Sequence, residues 1–179
     1  MTILNWTEAT EAVDTARSIL LVTHFKPDGD AIGSLLGAAN ALRERGCAVT
    51  TLAVDDGVPP FLRFLPGSDT VQSSLTSGEW ELMISLDCSD EERSGNVGVY
   101  GRAHSQRVIN LDHHPTNTKF GQLYLFEPDA VSATQVVQEW LEHMNQPLTR
   151  DSAMPLLTGL VTDTLGFRTS NVTPQTLGY

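Results

Sequence analysis

Short runs of consecutive apolar residues alternate along this chain with longer stretches whose apolar positions recur every three or four residues. The first pattern suits strands buried on both faces, the second suits helices with one face in a core. Glu8–Arg17 reads as a helix with Thr7 placed to cap it, followed by the strand Ser18-Ile19-Leu20-Leu21-Val22-Thr23. Asp30–Arg45 is a helix with Ile32, Leu35, Leu36, Ala39 and Leu42 on one face and Gly46 as its stop. Ala48–Val54, Leu82–Leu86 and Val108–Leu111 are further strands, Leu123–Phe126 is an edge strand, and Pro59-Pro60 opens a turn. Ala133, Val136, Val137, Trp140, Leu141 and Met144 mark another amphipathic helix, and a last one runs from about Asp151 to about Thr162. Thr173 and Pro174 have the form of a helix cap and first turn. Strand and helix in repetition predict an α/β fold: a mostly parallel sheet with helices on both faces, in a three-layer Rossmann-like arrangement.

The chain has 179 residues, which suits one domain. Eleven Lys and Arg face 22 Asp and Glu, a formal charge of −11, which argues against stable binding of duplex DNA, since that needs a basic face. Phosphate chemistry stays open, because bound metal ions can reverse the local sign of charge. Only Cys47 and Cys88 occur, so no disulfide framework is expected. Met1–Thr10 lacks the basic and apolar regions of a secretory leader, and no apolar run approaches a membrane span. A reducing cytoplasm and no membrane partner are the expectation.

In a parallel α/β sheet, ligands bind outside the carboxyl ends of the strands. The first predicted strand ends in His24-Phe25-Lys26-Pro27-Asp28-Gly29-Asp30, the third in Asp87 and the fourth in Asp112-His113-His114, while Asp163 lies near the end of the last helix. Taken singly, each has an ordinary explanation: Asp30 as a helix cap, Asp28-Gly29 as a turn, Asp87 as a cap for the next segment, Asp163 as a helix-end polar group. Their predicted coincidence at one sheet edge favours a site. Carboxylate and imidazole donors together suit Mn²⁺, Fe²⁺, Co²⁺ or Zn²⁺. The number of donors exceeds what one ion needs, so two ions are the simpler account.

These residues carry a resemblance. Thr23-His24-Phe25-Lys26-Pro27-Asp28-Gly29-Asp30-Ala31-Ile32-Gly33-Ser34 resembles the first motif of the DHH phosphoesterase superfamily, Asp87 the second and Asp112-His113-His114 the third. Gly159-Leu160-Val161-Thr162-Asp163-Thr164-Leu165-Gly166-Phe167 is similar to the fourth. His24, four residues before Asp28, disfavours the single-strand exonuclease branch, and the segments around Asp30, Asn117 and Asp163 look closest to the nanoRNase and pAp-phosphatase branch. Cyclic-dinucleotide phosphodiesterases are near neighbours, and family-II pyrophosphatases share the metal residues but continue the first motif differently.

The resemblance implies a hydrolase of short oligoribonucleotides or 3′-phosphoadenosine 5′-phosphate, with a cyclic or linear dinucleotide as the alternative substrate. It implies two divalent ions, Mn²⁺ first, with Mg²⁺ or Co²⁺ as alternatives. His24, Asp28 and Asp87 would hold one, and Asp30, Asp87, His113 and Asp163 the other. Asp112 would orient a neighbouring histidine, and His114 would face the substrate, binding phosphate or assisting proton transfer. Gly29 and Gly33 would permit a tight loop and a close helix–strand approach. Asn117, Ser132, Arg168 and Asn171 are candidate substrate contacts; the plainer readings are an Asx turn or orientation of the double-His loop for Asn117, a helix cap for Ser132 and a solvated loop residue for Arg168. Residues 1–179 would form a catalytic domain truncated before a C-terminal substrate-binding lobe, and a homodimer is compatible with it. A module of the same fold that binds metal or nucleotide without turnover is the alternative of another class.

Overall fold

The computed structural model describes residues 1–178 and contains one seven-stranded sheet. In chain order the strands are β1 (Ile3–Leu4), β2 (Ile19–Val22), β3 (Val49–Ala53), β4 (Val71–Gln72), β5 (Leu82–Leu86), β6 (Val108–Asp112) and β7 (Leu123–Phe126). The helices are α1 (Trp6–Thr15), α2 (Gly29–Arg45), α3 (Gly95–Ala103), α4 (Ala133–His143) and α5 (Arg150–Asp163). Their spatial order is β1-β7-β6-β5-β2-β3-β4, and every neighbouring pair is parallel except β1 with β7. From the central β2 the chain winds outward through β3 to β4. It then returns to the other side of β2 as β5 and winds outward again through β6 to β7. The direction of winding thus reverses between β2 and β5, and a crevice opens at such a switch.

Strands buried on both faces explain the uninterrupted apolar runs. Ile19 and Leu21 of β2 join Leu82, Ile84, Ile109 and Leu111 in the larger core, beneath α1, α2 and α4. Leu20 and Val22 point the other way, into a smaller cluster with Met83, Val97 and Tyr100 under α3. The sheet is therefore covered on both sides, as expected, but unequally. Helix α5 forms an outer layer that packs chiefly on α2 and α4.

Several expectations shift. Helix α1 begins at Trp6, not after Thr7, because Asn5 pairs with β7 through its backbone N–H to Tyr124 O (2.8 Å) and its Oδ1 to Tyr124 N–H (2.9 Å). That pairing carries Ile3–Leu4 along β7, so Leu123–Phe126 is not the sheet edge; β1 covers it antiparallel. Helix α3 went unpredicted because three glycines obscure its pattern. Gly101 is required there, since a Cβ would lie 2.6 Å from Leu20 Cδ2 and 3.0 Å from Met83 Sδ. Helix α2 stops at Gly46 as predicted, but its cap is Asp28, not Asp30. The Thr173-Pro174 start leads only to a short 3₁₀ turn at Thr176–Gly178; Tyr179 lies outside the described residues.

Candidate metal centre

The predicted site residues converge on the carboxyl edge, at the switch between β2 and β5. His24 follows β2, Asp87 follows β5, Asp112 ends β6 with His113 and His114 after it, and Asp163 is the last residue of α5. Asp28 Oδ1 accepts the N–H groups of Asp30 and Ala31, both at 3.0 Å, which starts α2 and sets the first loop. Helix α2 then carries Asp30 inward, where its carboxylate accepts Ala133 N–H (2.6 Å) and Thr134 N–H (3.0 Å) at the start of α4. Free helix N–H groups favour an anion, and here a side chain of the same chain supplies it.

The close approach at Gly33 is helix on helix rather than helix on strand. A Cβ on Gly33 would lie 2.6 Å from Pro155 O and 3.0 Å from Gly159 N, so α2 and α5 touch backbone to backbone. This crossing brings Asp163 to the centre.

His24 Nδ1–H donates to Phe25 O (2.9 Å), which turns Nε2 toward Asp87 Oδ2 (3.4 Å) and Asp28 Oδ1 (3.9 Å). His113 Nδ1–H donates to Ala130 O (3.3 Å), and its Nε2 faces Asp30 Oδ2 (3.8 Å), Asp87 Oδ1 (3.8 Å) and Asp163 Oδ2 (3.7 Å). Three groups of donor atoms result, each within a sphere that one ion can span: His24–Asp28–Asp87, Asp30–His113–Asp163 and Asp87–His113–His114. Asp87 and His113 each belong to two of them.

Two buried donors at the centre, Asp87 Oδ1 and His113 Nε2, have no hydrogen-bond partner. Buried polar atoms left so are rare and ask for a ligand. Burial pushes the Asp30 carboxyl up to about 6 against the pull of the Thr134 and Ala133 N–H groups. Burial, then repulsion from Asp30 and Asp112, holds Asp87 well above the usual carboxylate range. Burial and the Asp30 charge raise Asp163 to about 6, and burial with the neighbouring His114 lowers His113. A neutral imidazole facing crowded, mutually repelling carboxylates is the donor set of a divalent cation site, so the residues fit metal ions.

His114 differs. Its Nδ1–H donates to Asp112 Oδ1 at 2.8 Å, and this bond raises the imidazole to about 9, leaving it charged at neutral pH. Asp112 is fully buried, and its Oδ2 accepts Asn117 Nδ2–H at 2.6 Å.

The four candidate substrate contacts separate. The Asn117 amide is used internally, with Nδ2 donating to Asp112 Oδ2 and Cys88 O and Oδ1 accepting Lys119 N–H, so it orients the double-His loop. Ser132 is completely buried and caps α4 by accepting Gln135 N–H (3.1 Å), out of reach of a ligand. Arg168 and Asn171 are exposed on the segment after Asp163. Two features escaped the sequence reading. The Arg93 guanidinium lies over the Phe25 ring at 5.7 Å, beside the first loop, while its backbone N–H donates to Asp90 Oδ1 (2.9 Å). Asn110, buried in β6, donates to Cys88 O (3.1 Å); a polar residue inside an otherwise apolar strand was the available signal.

A Rossmann-like sheet with carboxylates and histidines gathered at its switch point defines a class of metal-site α/β domain. Residues 18–160 match the DHH family, N-terminal domain, and the chain belongs to that family. It is 39% identical over 163 residues to the bifunctional oligoribonuclease and PAP phosphatase NrnA of Thermus thermophilus, covering 89% of this chain and 47% of that protein. The protein of the same name from Bacillus subtilis is 31% identical over 177 residues, with 97% and 54% covered. The chain thus spans about half the length of the curated relatives it matches. Among solved structures, an exopolyphosphatase-related protein from Bacteroides fragilis superposes with a TM-score of 0.88 at 26% identity, covering 97% of this chain and 54% of that one. Exonuclease RecJ bound to manganese shares the fold, with a TM-score of 0.52 at 16% identity, over 91% and 44%.

Proposed function

We propose that this chain is the ion-holding domain of a hydrolase that cleaves phosphate esters in short oligoribonucleotides or 3′-phosphoadenosine 5′-phosphate. The observation that carries the reading is the set of overlapping donor groups sharing Asp87 and His113 at the switch of the sheet. The names and identities of the Thermus and Bacillus relatives support the substrate class. In this reading His24, Asp28 and Asp87 hold one divalent ion and Asp30, Asp87, His113 and Asp163 a second, Mn²⁺ being preferred for both. Bound there, the ions would supply positive charge to phosphoryl oxygens and lower the pKa of an attacking water.

The chain's own residues do the rest. Asp112 fixes the His114 ring and keeps it protonated, while 41% of the His114 side chain stays exposed toward an incoming ester. As water oxygen bonds to phosphorus and the ester P–O bond breaks, its electron pair stays on the leaving oxygen, His114 Nε2–H provides that oxygen's proton, and the proton released by the attacking water restores His114. Arg168 and Asn171 are the side chains proposed to meet the rest of the substrate.

The test is hydrolysis of 3′-phosphoadenosine 5′-phosphate and of a short RNA, each with Mn²⁺ and with a chelator. Phosphate or mononucleotide release that the chelator abolishes is expected, and His114→Ala should slow it roughly 100-fold or more while Mn²⁺ still binds. A chain that takes up Mn²⁺ and cleaves neither substrate would leave the binding module without turnover as the better reading.

A further inference from the structure

We infer that Asn110 is a positioning residue of this centre: together with Asn117 it clamps the carbonyl of Cys88 and holds Asp87 in register with the Asp112–His114 pair. The inference rests on the ion-holding reading above. Asn110 Nδ2 donates to Cys88 O at 3.1 Å, and Asn117 Nδ2 donates to the same oxygen at 3.2 Å and to Asp112 Oδ2 at 2.6 Å. Two donors fill the two lone pairs of that carbonyl. The oxygen therefore joins the end of β5, which presents Asp87, to the end of β6, which presents Asp112 and His114.

Asp87 needs such a clamp. Its φ is +56°, a left-handed backbone that non-glycine residues keep only where the surroundings impose it. The peptide before it is held by Asp87 N–H to Leu111 O at 2.9 Å, and the carbonyl of the next residue, Cys88, by the two asparagines. With both sides fixed, the buried carboxylate is aimed at His24 and His113 before any ion arrives.

The sequence context points the same way. Asn is disfavoured in strands, and β6 is otherwise apolar up to Asp112. Asn110 Oδ1 has no hydrogen-bond partner, and the residue paired with it in register on β5 is the buried Ser85. An apolar side chain would satisfy the sheet better, so the stability given up must be offset by what the amide positions.

The experiment is Mn²⁺ titration of the chain by calorimetry, with paramagnetic resonance of the bound ions, for wild type, Asn110→Leu and Ser85→Ala. Leu keeps the branched shape of Asn at somewhat greater volume and removes the amide, of which only Nδ2 has a partner. We expect Asn110→Leu to fold with an undiminished Tm and to bind Mn²⁺ at least about tenfold more weakly, with an altered resonance of the ion pair. Ser85→Ala, a change in the same patch of core, should bind as wild type does. Wild-type affinity and resonance in Asn110→Leu would overturn the inference, as would a lowered Tm with unchanged affinity. Should Asn110→Leu fail to fold, Asn110→Ser, whose shorter hydroxyl cannot hold the carbonyl as the amide does, decides by the same titration. Absence of Mn²⁺ uptake by wild type would instead defeat the ion-holding reading itself.

Discussion

Asp87 concentrates the conflict between stability and function in one side chain. It is buried, backbone-strained, without a partner for Oδ1, and surrounded by the charges of Asp30 and Asp112. Without ions, such a carboxylate destabilises the fold once ionised. Asp87→Asn keeps the shape and tolerates the left-handed backbone, but loses the charge. We expect the metal-free variant at pH 8 to be more stable than wild type by roughly 1–3 kcal/mol, the scale of an unpaired buried polar group. It should also lose Mn²⁺ binding. Denaturant unfolding and calorimetry read the two effects separately, and a variant that is both weaker in folding and unchanged in binding would contradict this account.

Between elements, the decisive contact is the crossing of α2, α4 and α5. Gly33 and Gly159 let α5 lie against α2, and the same crossing presses Asp30 between the start of α4 and the backbone of Gly159. A Cβ on Gly159 would clash with Thr134 Cγ2 and lie 2.8 Å from Asp30 Oδ1. Gly159→Ala should therefore destabilise by about 1–3 kcal/mol, the usual range for overpacking, despite the better helix propensity of Ala. It should also weaken Mn²⁺ binding, because Asp30 and Asp163 move apart; thermal unfolding with and without Mn²⁺ measures both. Elements made by local pattern were legible: β2, β5 and β6 fall close to their apolar runs, and α4 follows its stripe. Helix α3 was not, because its glycines make sense only where Leu20 and Met83 lie beneath them.

For the whole molecule, acidic charge and an ion-free centre make stability depend on pH in an unusual sense. Folding raises Asp30 and Asp163 to about 6 and holds Asp87 well above its ordinary range, so the folded chain holds protons that the unfolded chain releases near 4. The stability so linked is complete below about pH 4 and is lost as pH rises through about 6. The metal-free chain should accordingly melt at a lower temperature at pH 7.5 than at pH 5. Mn²⁺ at about 100 times its dissociation constant should restore roughly 2.7 kcal/mol at pH 7.5 and much less at pH 5, where protons compete for the carboxylates. A flat or rising profile of Tm against pH without metal would contradict the charge distribution described. No helix among the described residues is long and apolar enough to cross a membrane.

Legible in the chain alone were the alternation of strands and helices, a mostly parallel sheet and the edge at which His24, Asp28, Asp30, Asp87, Asp112, His113, His114 and Asp163 gather. They were legible because apolar periodicity is a local signal and ligand residues stand at strand ends, next to the pattern that reveals them. Tertiary structure alone decided that β1 covers β7, that Asp28 rather than Asp30 caps α2, and that the start of α4 receives Asp30. It alone joined Asn110 and Asn117 on one carbonyl. Each of these depends on groups distant in the chain meeting at hydrogen-bond range, and no spacing along the sequence encodes which unpaired N–H will find which carboxylate.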